Sequence, residues 1–193
     1  MTTQTTKTKA SDIATLSIFI AIMVVIHLLS KIVYTFWPFP IQPPLVHIPA
    51  LIGSIVLGWR KGAALGFVMG MISFLNSTIA PIPTSFLFSP FAPNGNIWSL
   101  FVAFAPRILV GILPFFIYQL AKNRFGAGLA GFLGSATNTV LVLSSAFLLF
   151  NDQLNMTFKA LIASIIATNS IAEAIASTIL TASIVPILIK FRN

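Results

Sequence analysis

The chain of 193 residues contains no cysteine, only three acidic residues and few charged residues of any kind. The absence of cysteine excludes disulfides and thiolate chemistry, although it indicates little about the compartment. Charged residues make up 7% of the sequence and hydrophobic residues 57%, with a mean hydropathy of +0.99, far outside the range of soluble domains. The composition therefore predicts a membrane protein without a soluble domain, so that any ATP hydrolysis must come from other chains.

Apolar runs along the sequence predict about six membrane-spanning helices. Each such helix needs roughly 20 residues to cross a hydrocarbon core of about 30 Å. The predicted spans are residues 11–35, 45–57, 62–79, 97–121, 126–150 and 158–189. The predicted fold class is therefore an all-α integral membrane protein, a compact helical bundle that forms a single membrane domain over residues 1–193. The polar start lacks the apolar region of a cleaved signal, so the first span is expected to be retained.

The net charge of +8 comes from basic residues dispersed between the apolar runs rather than gathered on one surface, which argues against a nucleic-acid partner. If both termini are cytoplasmic, eight basic residues fall inside: Lys7, Lys9, Arg60, Lys61, Lys122, Arg124, Lys190 and Arg192. Only Lys31 and Lys159 then fall near the outer side. The positive-inside rule favours this orientation.

Two outward connections, residues 36–49 and 80–98, hold nine of the twelve prolines. Proline fixes φ and lowers the entropy of a loop. These segments are therefore expected to be ordered caps over the helices, with stiff hairpin connections as the alternative.

Small residues repeat at helical spacing in three predicted spans and allow close helix contact. Two series lie on internal spans and are expected to pack within the chain: Gly62, Gly66 and Gly70, and Gly126, Ala130, Gly134 and Asn138. The third lies on the first span, where it could meet a partner: Ala10, Ala14, Ser17 and Ala21.

Arg107 and Glu173 are charged residues inside predicted spans. A charge near the centre of a spanning helix costs about 2.5–3.5 kcal/mol and indicates a functional site. Asn169, Glu173 and Ser177 share one face of the last span, and Asn138 lies inside the fifth. This polarity predicts a pocket in the outer half of the membrane, roofed by the proline-rich connections. The alternative is an Arg107–Glu173 ion pair that only ties two helices together.

The chemistry of these residues favours an anionic ligand over catalysis. The planar fork of a guanidinium group matches a carboxylate or a phosphate. No catalytic motif occurs, and the spacing of the two histidines does not indicate a metal site. His47 is the better ligand candidate because it lies among the prolines where a connection meets a helix, whereas His27 is expected to pack between helices.

Three sequence segments resemble the substrate-binding S components of energy-coupling factor (ECF) vitamin transporters. They are Pro-Leu-Val-His-Ile-Pro at 44–49, Ser-Phe-Leu-Phe-Ser-Pro-Phe at 85–91, and Ala-Pro-Arg-Ile-Leu-Val-Gly at 105–111, with Trp98 between the last two. The third is similar in particular to the pantothenate-specific group. The resemblance implies capture of a vitamin from outside a prokaryotic plasma membrane, without a cofactor. It also implies a membrane-embedded coupling protein and two cytoplasmic ATPases as partners, with Ala10, Ala14, Ser17 and Ala21 as the docking face.

Pantothenate has one carboxylate, hydroxyl groups and an amide, and these groups suggest roles for the candidate site residues. Arg107 is expected to hold the pantothenate carboxylate, and Glu173 to orient Arg107 or accept a hydroxyl proton. The hydroxyls and the amide of the ligand are expected to bind asparagines: Asn94, Asn96, Asn138 and Asn169. His47 and Trp98 are expected to close the top of the site. The whole subunit is expected to reorient on its partners to release the vitamin.

Three other functions stay open at this point. A hydroxymethylpyrimidine thiamine precursor could stack on Trp98 or Phe91 and would not need the arginine. A self-sufficient ion-coupled carrier could use Arg107 and Glu173 as its relay. An intramembrane enzyme is disfavoured because no nucleophile and base pair is apparent.

Overall fold

The computed structural model describes residues 3–36, 45–82, 84–154, 157–165 and 168–192. These residues form helices and connecting segments, and within them there is no β-strand. The helices are α1 (Thr3–Thr35), α2 (His47–Leu57), α3 (Trp59–Ile79), α4 (Trp98–Leu120), α5 (Arg124–Leu154), α6 (Phe158–Ile165) and α7 (Thr168–Arg192), with a short 3-10 helix (Ser85–Leu87) before α4. The prediction of an all-α membrane bundle is confirmed.

Among the described residues, five helical segments are long and apolar enough to cross a membrane: Ile13–Val33, Trp59–Ile79, Trp98–Leu120, Arg124–Leu154 and Ser170–Phe191. The helix α2 has 11 residues and is therefore about 16 Å long, too short to cross a hydrocarbon core alone. Every residue of α2 is buried, and α2 contacts α1, α3, α4, α5 and α7. Because other helices cover all of its sides, this short helix forms the centre of the bundle.

The helix bounds differ from the predicted spans at the C-terminal end. Within the predicted span over residues 158–189 the structure describes α6 and α7, and residues 166–167 between them lie outside the described part. The helix α5 continues beyond position 150 to Leu154. The backbone at Phe150 is non-helical (φ −133°, ψ 22°). Hydropathy reports only that a run is apolar, so it does not reveal a local departure from helical geometry such as the one at Phe150. In the first proline-rich connection, residues 37–44 lie outside the described part.

Glycines bring the backbones of α3 and α4 into direct contact. A Cβ atom on Gly62 would overlap the carbonyl oxygen of Gly111, and a Cβ on Gly66 would overlap the carbonyl oxygen of Arg107. A Cβ on Gly70 would lie 2.8 Å from the carbonyl oxygen of Ala103. The glycine series of α3 therefore packs within the chain, as predicted, and it supports the turn of α4 that carries Arg107.

Replacing Gly66 with alanine is expected to destabilise the bundle. The added Cβ meets backbone that cannot move aside, and overpacking of this kind costs about 1–3 kcal/mol of unfolding free energy. The measurement is the thermal unfolding midpoint of the detergent-solubilised protein. Gly128→Ala is the matched control because its Cβ would lie 3.4 Å from the Ala182 Cβ, an ordinary contact. Equal midpoints for the two variants would contradict the close α3–α4 contact.

Candidate functional site

A cavity of about 220 Å³ lies at the end of the bundle where α2 begins and α3 ends. It is enclosed by α1 to α5 together with the connection that follows α3. The lining includes apolar, hydroxyl, amide and basic side chains: His27, Val46, His47, Met69, Ile72, Ser73, Asn76, Ser77, Ile82, Thr84, Ser85, Phe88, Arg107 and Asn138. A mostly apolar hollow with a few converging polar groups is typical of a small-molecule site.

Arg107 is buried in α4, with 7% of its surface exposed, and two contacts hold its guanidinium group. Its Nη1 donates a hydrogen bond of 2.6 Å to the carbonyl oxygen of Val102. That oxygen would normally accept the N–H of residue 106, but residue 106 is a proline and has none. The second contact is the ring of Phe88, whose centroid lies 4.7 Å from Cζ. The sequence Pro106-Arg107 thus frees a carbonyl group and supplies the donor that uses it.

Three buried polar atoms at the cavity have no hydrogen-bond partner within the described residues: Arg107 Nε, Asn76 Oδ1 and Asn138 Oδ1. An unsatisfied buried polar group costs about 1–3 kcal/mol, and more when it is charged. The atoms are complementary to a ligand that presents an acceptor to the arginine and hydroxyl or amide donors to the asparagines. Their arrangement favours a small anion that also carries hydroxyl or amide groups.

Hydroxyl groups fasten the second proline-rich connection over the cavity. Thr78 Oγ1 and Ser89 Oγ are 2.8 Å apart, and Ser85 Oγ accepts a hydrogen bond of 2.8 Å from the Ile82 N–H. Ser99 Oγ donates to the Phe86 carbonyl oxygen at 2.5 Å. The Phe86 ring is buried with its centroid 5.6 Å from that of Phe150. This connection is therefore a folded part of the bundle that supplies cavity walls.

Three of the predicted site residues meet in the cavity: Arg107, His47 and Asn138. His47 is buried at the first residue of α2, and its Nε2 lies 2.9 Å from Ser177 Oγ on α7. This contact fixes the centre of the bundle to the last helix and gives the imidazole a defined position at the cavity wall.

The residues just before and at the start of α4 do not line the cavity. Asn94 is exposed and has a φ of 66°, a left-handed turn conformation that asparagine tolerates. Asn96 Oδ1 accepts the Trp98 N–H at 2.9 Å, and the Trp98 side chain is 52% exposed. Turn and helix-start geometry accounts for both asparagines, so the structure separates these three residues from Arg107.

Glu173 is buried on α7 and does not line the cavity. Within the described residues no ion pair joins it to Arg107, so the ion-pair alternative does not describe this arrangement. Glu173 lies one helical turn from Ser177, the partner of His47. The side chain of Asn169 lies outside the part of the chain that the structure describes.

The predicted docking face on α1 is accessible. Ala14, Ser17 and Ala21 are exposed, whereas Phe19 and Met23 are buried against the bundle. At 100° per residue the three small residues lie on the side of α1 opposite the buried one. The side chain of Ala10 lies outside the described residues.

Several cavity residues were missed from sequence, above all Ser73, Asn76 and Ser77 on α3, together with His27 and Phe88. A signal for the serines was present because they continue the series Gly66 and Gly70 at helical spacing, and that face contacts α4. No comparable pattern marks His27, which reaches the cavity through the packing of α1.

Ser177→Ala is expected to lower the unfolding free energy by about 1–3 kcal/mol, because it leaves the buried His47 imidazole without this partner. Thermal unfolding in detergent measures the change. Ser183→Ala is the matched control on the same helix, since its exposed hydroxyl donates to the Ile179 carbonyl within that helix. A loss in the control as large as in Ser177→Ala would contradict a specific role for the α2–α7 contact.

Comparison with known proteins assigns the chain to a group of transport proteins. The family model described as ECF transporter, substrate-specific component, matches residues 11–189. The chain is 59% identical over 192 residues to the pantothenic acid transporter PanT of Lactococcus lactis subsp. cremoris, covering 97% of this chain and 98% of that protein. It is 29% identical over 167 residues to the pantothenate transporter PanT of Leuconostoc mesenteroides subsp. mesenteroides, covering 77% and 76% respectively.

Proposed function

We propose, from the premise that this chain belongs to the substrate-specific components of ECF transporters, that it captures pantothenate from outside the cell. The family consists of transporter components rather than enzymes. The observation that carries the choice of ligand is the buried Arg107, whose guanidinium makes one hydrogen bond within the described residues and lines a cavity with two unpaired asparagine oxygens. Pantothenate offers a carboxylate for the arginine and hydroxyl and amide donors for the asparagines.

The proposed orientation places both termini in the cytoplasm and the cavity in the outer half of the membrane. The α2–α3 turn at Gly58, Lys122 after α4 and Ile189 near the end of α7 line one groove, so they lie at the same end of the bundle. Arg60, Lys61, Arg124 and Lys190 lie next to these positions in the sequence. The cavity is at the opposite ends of α2 and α3. The positive-inside rule supports a cytoplasmic basic end, which directs the cavity outward.

The energy for uptake comes, in this proposal, from other chains. A membrane-embedded coupling protein would dock on the exposed small-residue face of α1, and two cytoplasmic ATPases would drive the cycle. Small side chains allow such a close helix contact. The cavity is walled by tightly packed α3 and α4 and by the fastened connection above them, so release by tilting of the whole subunit requires no second gate within the chain.

Arg107→Ala is expected to weaken pantothenate binding by about 10- to 150-fold, the range for loss of a hydrogen bond to a charged group. Asn138→Ala removes a neutral hydrogen bond and is expected to weaken binding by about 2- to 10-fold. The measurement is calorimetric titration of the detergent-solubilised chain with pantothenate.

Arg60→Ala is the matched control, because Arg60 is exposed at the other end of α3 and lies over the Trp59 ring. Its affinity is expected to equal that of the unmodified chain. Failure of the unmodified chain to bind pantothenate, or full binding by the Arg107 variant, would overturn the proposal and point to the pyrimidine ligand or to an ion-coupled carrier.

Ser17→Trp on the docking face is expected to abolish pantothenate uptake by proteoliposomes that contain the coupling protein and ATPases, while leaving binding to the isolated chain unchanged. The indole would block close approach of a partner helix. Leu148→Trp is the control, since Leu148 is 77% exposed on α5. Steady uptake by the isolated chain, or normal uptake by the Ser17 variant, would contradict the proposed partnership.

A further inference from the structure

The aromatic ring over Arg107 comes from outside α4. Phe88 lies in the connection between α3 and α4, and its ring centroid is 4.7 Å from Cζ of the arginine. We propose that Phe88 is a positioning residue that sets the orientation of the guanidinium group and so decides preference for an anionic over a neutral ligand. The inference rests on the function proposed above and concerns how Arg107 is made ready for a carboxylate.

One part of the guanidinium group makes contacts with the protein, and another part has no hydrogen-bond partner within the described residues. The Nη1 donor is bonded to the Val102 carbonyl, and Cζ lies over the Phe88 ring, 4.7 Å from its centroid. Nε is buried without a partner within the described residues. One hydrogen bond alone would leave the plane free to rotate about the Nη1–oxygen direction. The ring removes that freedom, so the remaining edge of the fork keeps one direction.

Phe88 is fixed independently of Arg107. Its N–H donates to the Ser85 carbonyl at 3.0 Å, and the next residue, Ser89, is buried and bonds through its hydroxyl to Thr78 on α3. The Phe88 side chain is half-buried and packs against the apolar cluster that contains Phe86 and Phe150. The ring therefore belongs to a connection that is held by hydrogen bonds and apolar packing, and it contacts the arginine from a defined position.

The attraction between a cation and an aromatic face is strongest where water is excluded. It stabilises the charged guanidinium group without using any of its N–H donors, which leaves them available for a ligand. A leucine would preserve apolar packing but lacks the ring quadrupole. Replacement of the ring therefore separates the electrostatic role of Phe88 from simple occupation of space.

Phe88→Leu is expected to weaken pantothenate binding by about 5- to 30-fold in calorimetric titration of the detergent-solubilised chain. Binding of the neutral analogue in which CH2OH replaces the carboxylate is expected to weaken by a clearly smaller factor. Phe88→Tyr keeps the ring and is expected to bind pantothenate more tightly than Phe88→Leu does. Phe91→Leu is the matched control, since the same change is made three residues along at a side chain that is 76% exposed.

In the Arg107→Ala background, Phe88→Leu is expected to cause no further loss, because the two residues act as one unit. Equal loss for the acid and the neutral analogue would show that Phe88 contacts the ligand or merely shapes the cavity, and would overturn the inference. Unchanged pantothenate binding by Phe88→Leu would also overturn it. In both cases a large effect of Arg107→Ala would still support the proposed function. Absence of pantothenate binding by the unmodified chain would contradict both the proposed function and the inference about Phe88.

Discussion

Burying a guanidinium group among apolar helices is costly unless its charge and its donors are compensated, and the site in this protein follows from that constraint. The chain offers Arg107 no ion pair within the described residues. It offers instead one carbonyl oxygen and one aromatic face. This compensation is incomplete, since Nε has no partner. In the proposed function, a ligand carboxylate would supply the interaction that the protein omits.

The position of Arg107 depends on two features of the backbone. Pro106 removes the N–H that would otherwise occupy the Val102 carbonyl, so the arginine finds an acceptor within its own helix. Gly66 allows the backbone of α3 to lie against the Arg107 carbonyl, which fixes the same turn of α4 from the other side. Neither feature involves a side chain that touches the ligand. They hold the arginine at a constant depth and direction, and a rigid donor binds without a large ordering cost.

The short helix α2 connects this site to the rest of the bundle. It is enclosed on all sides, and its first residue, His47, contacts both the cavity and Ser177 on α7. Glu173 lies one turn from that serine, is buried and does not line the cavity. Because α2 contacts most of the other helices, the cavity walls and the last helix are expected to move as one body during a cycle.

The sequence by itself determined that the protein lies in a membrane and is helical, and it made Arg107 a candidate site residue. The free energy of placing a residue in the membrane depends mainly on that residue, so these inferences needed no knowledge of its neighbours. The packing role of Gly62, Gly66 and Gly70 could also be predicted, since it follows from spacing on one helix. Only the tertiary structure decided that Asn76, His27 and Phe88 line the cavity while Asn94, Asn96 and Trp98 do not. Residue type alone does not distinguish an asparagine that stabilises a turn or a helix start from one that faces a ligand. The difference lies in which helices meet, and contacts between residues distant in sequence set that arrangement.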